Sequence, residues 1–263
     1  MKLNLKLSSK QYEVETEEEA QEYFHAKGLT DGLPIIPPTE ERVSACLHEA
    51  GMVPSHVIGA EPVRGRLITA EKTAINAVLA GCQPVHFPIV VAAIEAMCRS
   101  EFLLHGAMCS TGGCAVFMVV NGPIRKDLNM NSTFNVLGNS DRASAVIGRS
   151  IRLVLNNILD IRSGGLDRST LGHPGKFSYC VAEDEEGSGW IPLAQQLGGT
   201  PDLSTVTVLA AGSPRQIMNE WTSDPEEILE TFAAEIRANM LHYSVWGGNY
   251  VIIIPKQLRD RIE

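Results

Sequence analysis

The stretch from His105 to Pro123 reads HGAMCSTGGCAVFMVVNGP, and its reading decides the fold. Ala115 to Val120 is a short apolar run rich in β-formers with glycines on both sides, which predicts a buried strand rather than a helix. The Cys/Ser/Thr/Gly stretch before it predicts a loop. In that loop Ser110, Thr111, Gly112 and Gly113 can turn backbone N–H groups and hydroxyls toward an anionic or carbonyl ligand, because glycine permits tight turns and close approach. Asn121 and Gly122 end the strand at its carboxyl side, where open α/β sheets bind ligands. The glycine spacing is not GxGxxG, so no nucleotide site is indicated.

Working outward, NGPIRKDLNMNSTFNVLGNSDRASAVIGRSIRLVLNNI follows as a glycine- and asparagine-rich passage leading into a long amphipathic helix. Asn139, Ser140 and Asp141 supply its cap, and Val146, Ile147, Ile151, Leu153 and Leu155 its apolar face. Arg142 lies in the first turn, aimed at the preceding loop. Upstream, TAEKTAINAVLAG predicts a helix from about Ala70 that stops at Gly81, and IVVAAIEAM predicts a second one after Pro88. Cys82 sits in the short link between them. Thr16 with Glu19 makes a capping box for a helix over about 17 to 27, and Thr39 caps another that buries Val43, Cys46 and Leu47. Leu3, Leu5 and Leu7 alternate with polar residues as an N-terminal strand.

Downstream, Leu171 to Lys176 is a turn, Phe177 to Ala182 a strand, and Thr205 to Ala211 another strand ended by Ser213-Pro214. Asp224-Pro225 starts a helix with Ile228, Leu229, Phe232, Ile236 and Met240 as a core stripe. Trp246-Gly247-Gly248-Asn249 leads to a last strand, Tyr250 to Ile254. No linker or repeat interrupts the pattern. The expectation is one α/β or α+β unit over residues 1–263, a mixed sheet flanked by helices, with an N-terminal strand and helix extension over about 1–30.

Composition narrows the functional classes. Twenty-two Lys plus Arg against 31 Asp plus Glu give a formal charge of -9, with no basic run, which argues against nucleic acid. MKLNLKLSSK offers no apolar signal core and no stretch approaches a membrane span, so a cytoplasmic protein is expected. The six cysteines, at 46, 82, 98, 109, 114 and 180, form no CxxC pair and suit reduced thiols.

His105, Cys109 and Cys114 are spaced to offer three ligands to zinc, copper or iron with a fourth position open. The same loop suits a nucleophile. A thiolate at Cys109, Cys114 or Cys82, surrounded by N–H donors, would have a lowered pKa, with His105 or His173 as base. Lys176 stands close to His173 in the same Gly/Pro turn. In the acidic run Glu183 to Glu186, one carboxylate can act as general base, and Glu183 is taken for it. Lys72, unfavourable to a helix N-terminus, asks for a partner anion, and Asn76 one turn later points the same way.

Taken together, DGLPIIPPTEERV, EKTAINAVLAGCQPVHFP, STGG followed by VNGPI, Arg142 with IGR, and GHPGKFSYCVAEDEE resemble a bacterial family associated with or fused to small thioredoxin-like proteins that carry a Sec/Cys-Gly-Ser-Cys motif, the UGSC family. The resemblance spans roughly residues 31 to 255. It implies an oligomeric enzyme component whose redox motif is supplied by another chain, since no such motif occurs here. It favours Cys82, in AGC, as the shared thiol. The resulting expectation is a cysteine-dependent lyase or hydrolase cleaving a carbon–heteroatom bond in a small polar or anionic substrate. Cys82 would be the thiol, His173 the acid/base, Ser110 to Gly113 with Asn121 the donor cradle, and Lys72 and Arg142 the anion clamps. The alternatives are a thiol or selenol oxidoreductase component and a metal-binding protein.

Overall fold

The computed structural model describes residues 5–138, 141–240 and 249–263. The expectations at Leu3, Asn139, Ser140, the Met240 side chain and Trp246 to Gly248 lie outside the described residues. The chain divides into two compact units, one of Met1–Glu185 with Trp190–Ser213, the other of Glu186–Gly189 with Pro214–Glu263. Nothing in composition changes at Ser213-Pro214, which reads as an ordinary turn.

The larger unit opens with helices α1 (Glu17–Ala26) and α2 (Glu40–Glu49). As their capping residues predict, the Thr16 and Thr39 hydroxyls accept from the backbone N–H groups of Glu19 and Arg42. A hairpin of β1 (Val57–Glu61) and β2 (Arg66–Thr69) follows, then α3 (Ala70–Ala80), α4 (Phe87–Met97) and the short α5 (Leu104–Cys109). The central strand β3 (Ala115–Asn121) leads through α6 (Ile124–Asp127) to the long α7 (Arg142–Asn157). β4 (Cys180–Ala182), α8 (Leu193–Gln196) and β5 (Thr205–Ala211) complete the unit.

β3 is the middle strand of a mixed α/β sheet, parallel to β4 and antiparallel to β5. All seven of its residues are buried, so both faces of the sheet are covered. Side chains alternate across the pleat. Val116, Met118 and Val120 join the main core with Cys180 and Ala182, while Phe117 and Val119 meet Val181 on the other face. The main core is otherwise helical. Ala74, Ala77 and Val78 of α3 pack among Ile147, Ile151 and Val154 of α7, small residues on one helix admitting large ones from the other. α4 is apolar nearly all round and is buried accordingly. Each fully buried Leu, Ile, Met or Phe here contributes roughly 1.5–3 kcal/mol relative to exposure.

Two joints fix α7. Gly148 has no side chain where Ser178 crosses the helix, and a Cβ there would stand 2.8 Å from the Tyr179 nitrogen. The Ser178 hydroxyl uses that space to donate to the Ala145 carbonyl, 2.9 Å away. At the helix start, Asp141 accepts from the Ser144 N–H, and Arg142 donates to the Gly81 carbonyl at the end of α3.

The sequence reading contains no element between Gly51 and Thr69, where the hairpin lies. Over its described part, from Leu5 on, the expected N-terminal strand does not form: Leu5 and Leu7 pack against the core without a strand partner among the described residues. The arm is held instead by Glu71, whose buried carboxylate accepts from the Ser8 and Ser9 backbone and the Ser8 hydroxyl.

In the smaller unit α9 (Pro225–Met240) packs on α10 (Lys256–Ile262). Its expected core stripe is only partly buried, Ile228 being covered and Leu229 exposed. Tyr250 to Ile254 is not a strand: it has no ladder partner among the described residues, and Tyr250, Val251, Ile252 and Ile253 are exposed. Among the described residues no single helix is long and apolar enough to cross a membrane.

Candidate functional site

The polar stripe of α7 is where chemistry collects. Arg149, Arg152 and Asn156 lie three and four residues apart, so they share one side of the helix. Arg149 grips Asp31 with two parallel bonds of 2.8 Å, which ties the loop after α1 to α7. Burial alone would raise the Asp31 carboxyl, but this guanidinium more than offsets it and holds the group below its ordinary range. One turn on, Arg152 reaches Asp167 at 3.1 Å, and Lys176 reaches the same carboxylate oxygen at 2.8 Å. Ser169 donates to the other oxygen from its backbone N–H and its hydroxyl. Against the upward push of burial, Lys176 and Ser169 bring the Asp167 carboxyl down to about 2.

Asp31, Arg152 and Lys176 of this group wall an open cleft of about 720 Å³, with Thr30, Asn156, Arg162 and His173 also on its border. Arg162 is fixed by Asp160 at 3.1 Å and by the Gly28 carbonyl. Both ring nitrogens of His173 are covered, and at least one of them has no hydrogen-bond partner among the described residues, the Ala211 backbone standing close to the ring. Burial lowers its pKa, with Lys176 adding to the effect and the Ala211 backbone opposing it. Burial and Lys176 thus favour the neutral imidazole. Beside the cleft is a recess of about 10 Å³, room for one water, lined by Met108, Cys114, Arg152 and Lys176 among others.

The expected residues divide into those the fold brings here and those it does not. His173 and Lys176 are in place. Ser110, Thr111 and Gly112 are exposed and do not line the cleft, but their loop rests on it. The Thr111 carbonyl accepts from the Thr170 N–H at 3.1 Å, and a Cβ on Gly113 would stand 3.4 Å from the Gly172 Cα. Gly113 and Gly172 both have positive φ, 77° and 67°, conformations glycine adopts freely. The donor cradle is thus a supporting loop.

Cys82 does not fit an activated thiol. Its sulfur is buried 3.1 Å from the Ser150 hydroxyl and borders neither the cleft nor the recess, and burial pushes its pKa up to about 12. Glu183 is also spent on structure, accepting from the Leu193 N–H and, at 2.6 Å, from Asn121. Asn121 donates again to Glu185, so it has no amide hydrogen to offer an oxyanion. Lys72 is exposed, and the informative member of its pair is the buried Glu71. Asn76 donates to the Lys72 carbonyl and accepts from Asn157, a helix-to-helix tie behind the cleft. Arg142 is spent on the end of α3.

The expected metal triad is not assembled. His105 and Cys109 stand together on α5, Nδ1 to sulfur 3.9 Å, but Cys114 lines the recess instead. Among the described residues no group of three or more His, Cys, Asp or Glu is placed to hold a metal ion. What joins the pair is Glu61, fully buried, with Oε1 3.3 Å from His105 Nδ1 and bonds from the turn at Val63 and Arg64. Burial raises the Cys109 thiol, and the Arg64 charge opposes the rise.

Reactivity follows from this placement. At neutral pH a thiol reagent should modify Cys114 and Cys109 well before Cys82, read by mass spectrometry of peptides from the native protein. Rapid labelling of Cys82 before unfolding would contradict its burial and restore it as the thiol.

Sequence reasoning missed Asp31, Glu61, Arg152, Asn156, Arg162 and Asp167. The i, i+4 pair Arg152 and Asn156 on the polar side of an amphipathic helix was the available signal. No protein-family profile, no curated protein and no solved structure matches this chain, so the site rests on its geometry.

Proposed function

We propose that the protein is an enzyme that binds a small anionic molecule in the cleft beside α7 and cleaves a carbon–heteroatom bond in it by lyase or hydrolase chemistry, with His173 moving the proton. The observation that carries this reading is His173, an imidazole with both nitrogens covered and at least one of them unpaired among the described residues, beside Arg152, Arg162 and Lys176. An unpaired buried polar group costs roughly 1–3 kcal/mol, and such costs persist where a ligand completes the bonds. Lowering the imidazole pKa keeps the base form available at neutral pH, while the cations hold the charge of the substrate.

The test is an NMR titration of the His173 ring in the full-length chain with acetate. An anion in the cleft favours the imidazolium, so acetate should shift the His173 resonances and raise its pKa. An unchanged titration curve with acetate would sink the reading.

A second reading comes from the Glu61, His105 and Cys109 line. The buried Glu61 carboxylate and the Cys109 sulfur both stand against Nδ1 of His105, which gathers a thiol, an imidazole and a carboxylate at one point. This suits a thiol oxidoreductase component with a small redox partner, the partner supplying the second thiol or selenol.

A further inference from the structure

Asn156 is buried to 9% exposure, lines the cleft, and has an Oδ1 atom without a hydrogen-bond partner among the described residues. Its neighbour one turn earlier, Arg152, uses NH1 on Asp167 and has no other acceptor among the described residues. The remaining donors of that guanidinium, Nε and NH2, form a side-on pair that matches the two oxygens of a carboxylate. Two incomplete groups at i, i+4 spacing, one asking for an acidic pair of oxygens and one for a hydroxyl-sized partner, stand on the same wall.

On the reading that the cleft is the substrate site, we infer that the substrate is a hydroxylated monocarboxylate, its carboxylate on Arg152 and an adjacent hydroxyl on the Asn156 amide. Charge sets the monoanion. Four cations, Arg149, Arg152, Arg162 and Lys176, face three carboxylates, Asp31, Asp160 and Asp167, and 4 − 3 leaves one positive charge. Charge also selects hydroxyl over ammonium. An ammonium would meet three lining cations, and the lining carboxylate, Asp31, has both oxygens engaged by Arg149. A hydroxyl both donates and accepts, so it can pair with either atom of the amide. The terminal torsion of asparagine is broad and roughly two-fold, which lets the covered atom turn to the ligand. His173 across the cleft is then the group to take or give the hydroxyl proton.

The test is isothermal titration of the full-length chain with 2-hydroxybutanoate, butanoate and 2-aminobutanoate, in the wild type and in Asn156→Ala. The hydroxy acid should bind about tenfold more tightly than butanoate and more tightly than the amino acid. In Asn156→Ala the advantage over butanoate should vanish while butanoate binds as before. Equal binding of hydroxy acid and butanoate by the wild type would overturn the hydroxyl assignment and leave the anion cleft standing. Tighter binding of the amino acid would overturn it equally. Absence of binding by all three, with no response of the His173 ring to acetate, would remove both the assignment and the proposed function. Should Asn156→Ala fail to fold, the wild-type ratios decide alone.

Discussion

Asp167→Asn should destabilise the larger unit by about 2–4 kcal/mol, among the largest losses from any single polar change, because one carboxylate neutralises two nearly buried cations. Arg152 and Lys176 are each 13% exposed, and the Asp167 side chain is 2% exposed. Asparagine keeps the size but offers only one oxygen and no charge, so both cations would stay desolvated without a counter-charge. The pH dependence has a definite sign. Asp167 titrates at about 2 in the folded protein, against 3.8 for an unperturbed aspartate. Its contribution is therefore complete above pH 3.8 and is lost as pH falls through the lower value. After allowance for solvent screening that contribution is about 1–2 kcal/mol. Urea denaturation of wild type and variant would show a gap that narrows in acid. A gap below about 0.5 kcal/mol at neutral pH would mean that solvent replaces the carboxylate.

Gly148→Ala should destabilise by a further about 2–4 kcal/mol, against the usual direction of the change. In an exposed helix, alanine is favoured over glycine by roughly 0.5–1 kcal/mol. Here the new methyl would run into the Ser178 hydroxyl and approach the Tyr179 nitrogen to 2.8 Å, so strand lead-in and helix must separate. The separation would break the Ser178 bonds to the Ser144 and Ala145 carbonyls. Gly106→Ala is the internal control. It is also helical, and a Cβ there meets nothing within 4 Å, so it should be neutral or stabilising. Thermal denaturation of the two variants should move in opposite directions; a stable Gly148→Ala protein would show that α7 does not rest on residues 178 and 179.

The elements with a local cause were legible in the sequence. Thr16 and Thr39 mark helix starts by bonds that their own hydroxyls make, and Gly81 marks an end by a backbone angle few other residues adopt. The buried strand Ala115 to Val120 needs no partner to be recognised, because a run apolar on both faces has to be covered on both. Tyr250 to Ile254 has the same local signature and no ladder, since strand pairing is a property of two segments and the composition of one does not supply the other. Of the candidate site, the sequence pointed to His173 and Lys176, whose Gly/Pro turn lies on the cleft. Cys82 and Glu183 were not legible in this way. Their roles depend on what stands across from them: Ser150, 68 residues on from the thiol, and the Asn121 amide, 62 residues back from the carboxylate. A sequence window sees neither.

Gly113 and Gly172 meet backbone to backbone, with no side chain between them to act as a cushion. The two loops are in van der Waals contact here and joined by the Thr170 to Thr111 hydrogen bond, and a larger residue at either glycine is disfavoured by the positive φ of both. The contact places the segment carrying Cys109 and Cys114 directly against the loop that presents His173 to the cleft. For the same reason the two loops should diversify together, as a single part with two sequence addresses.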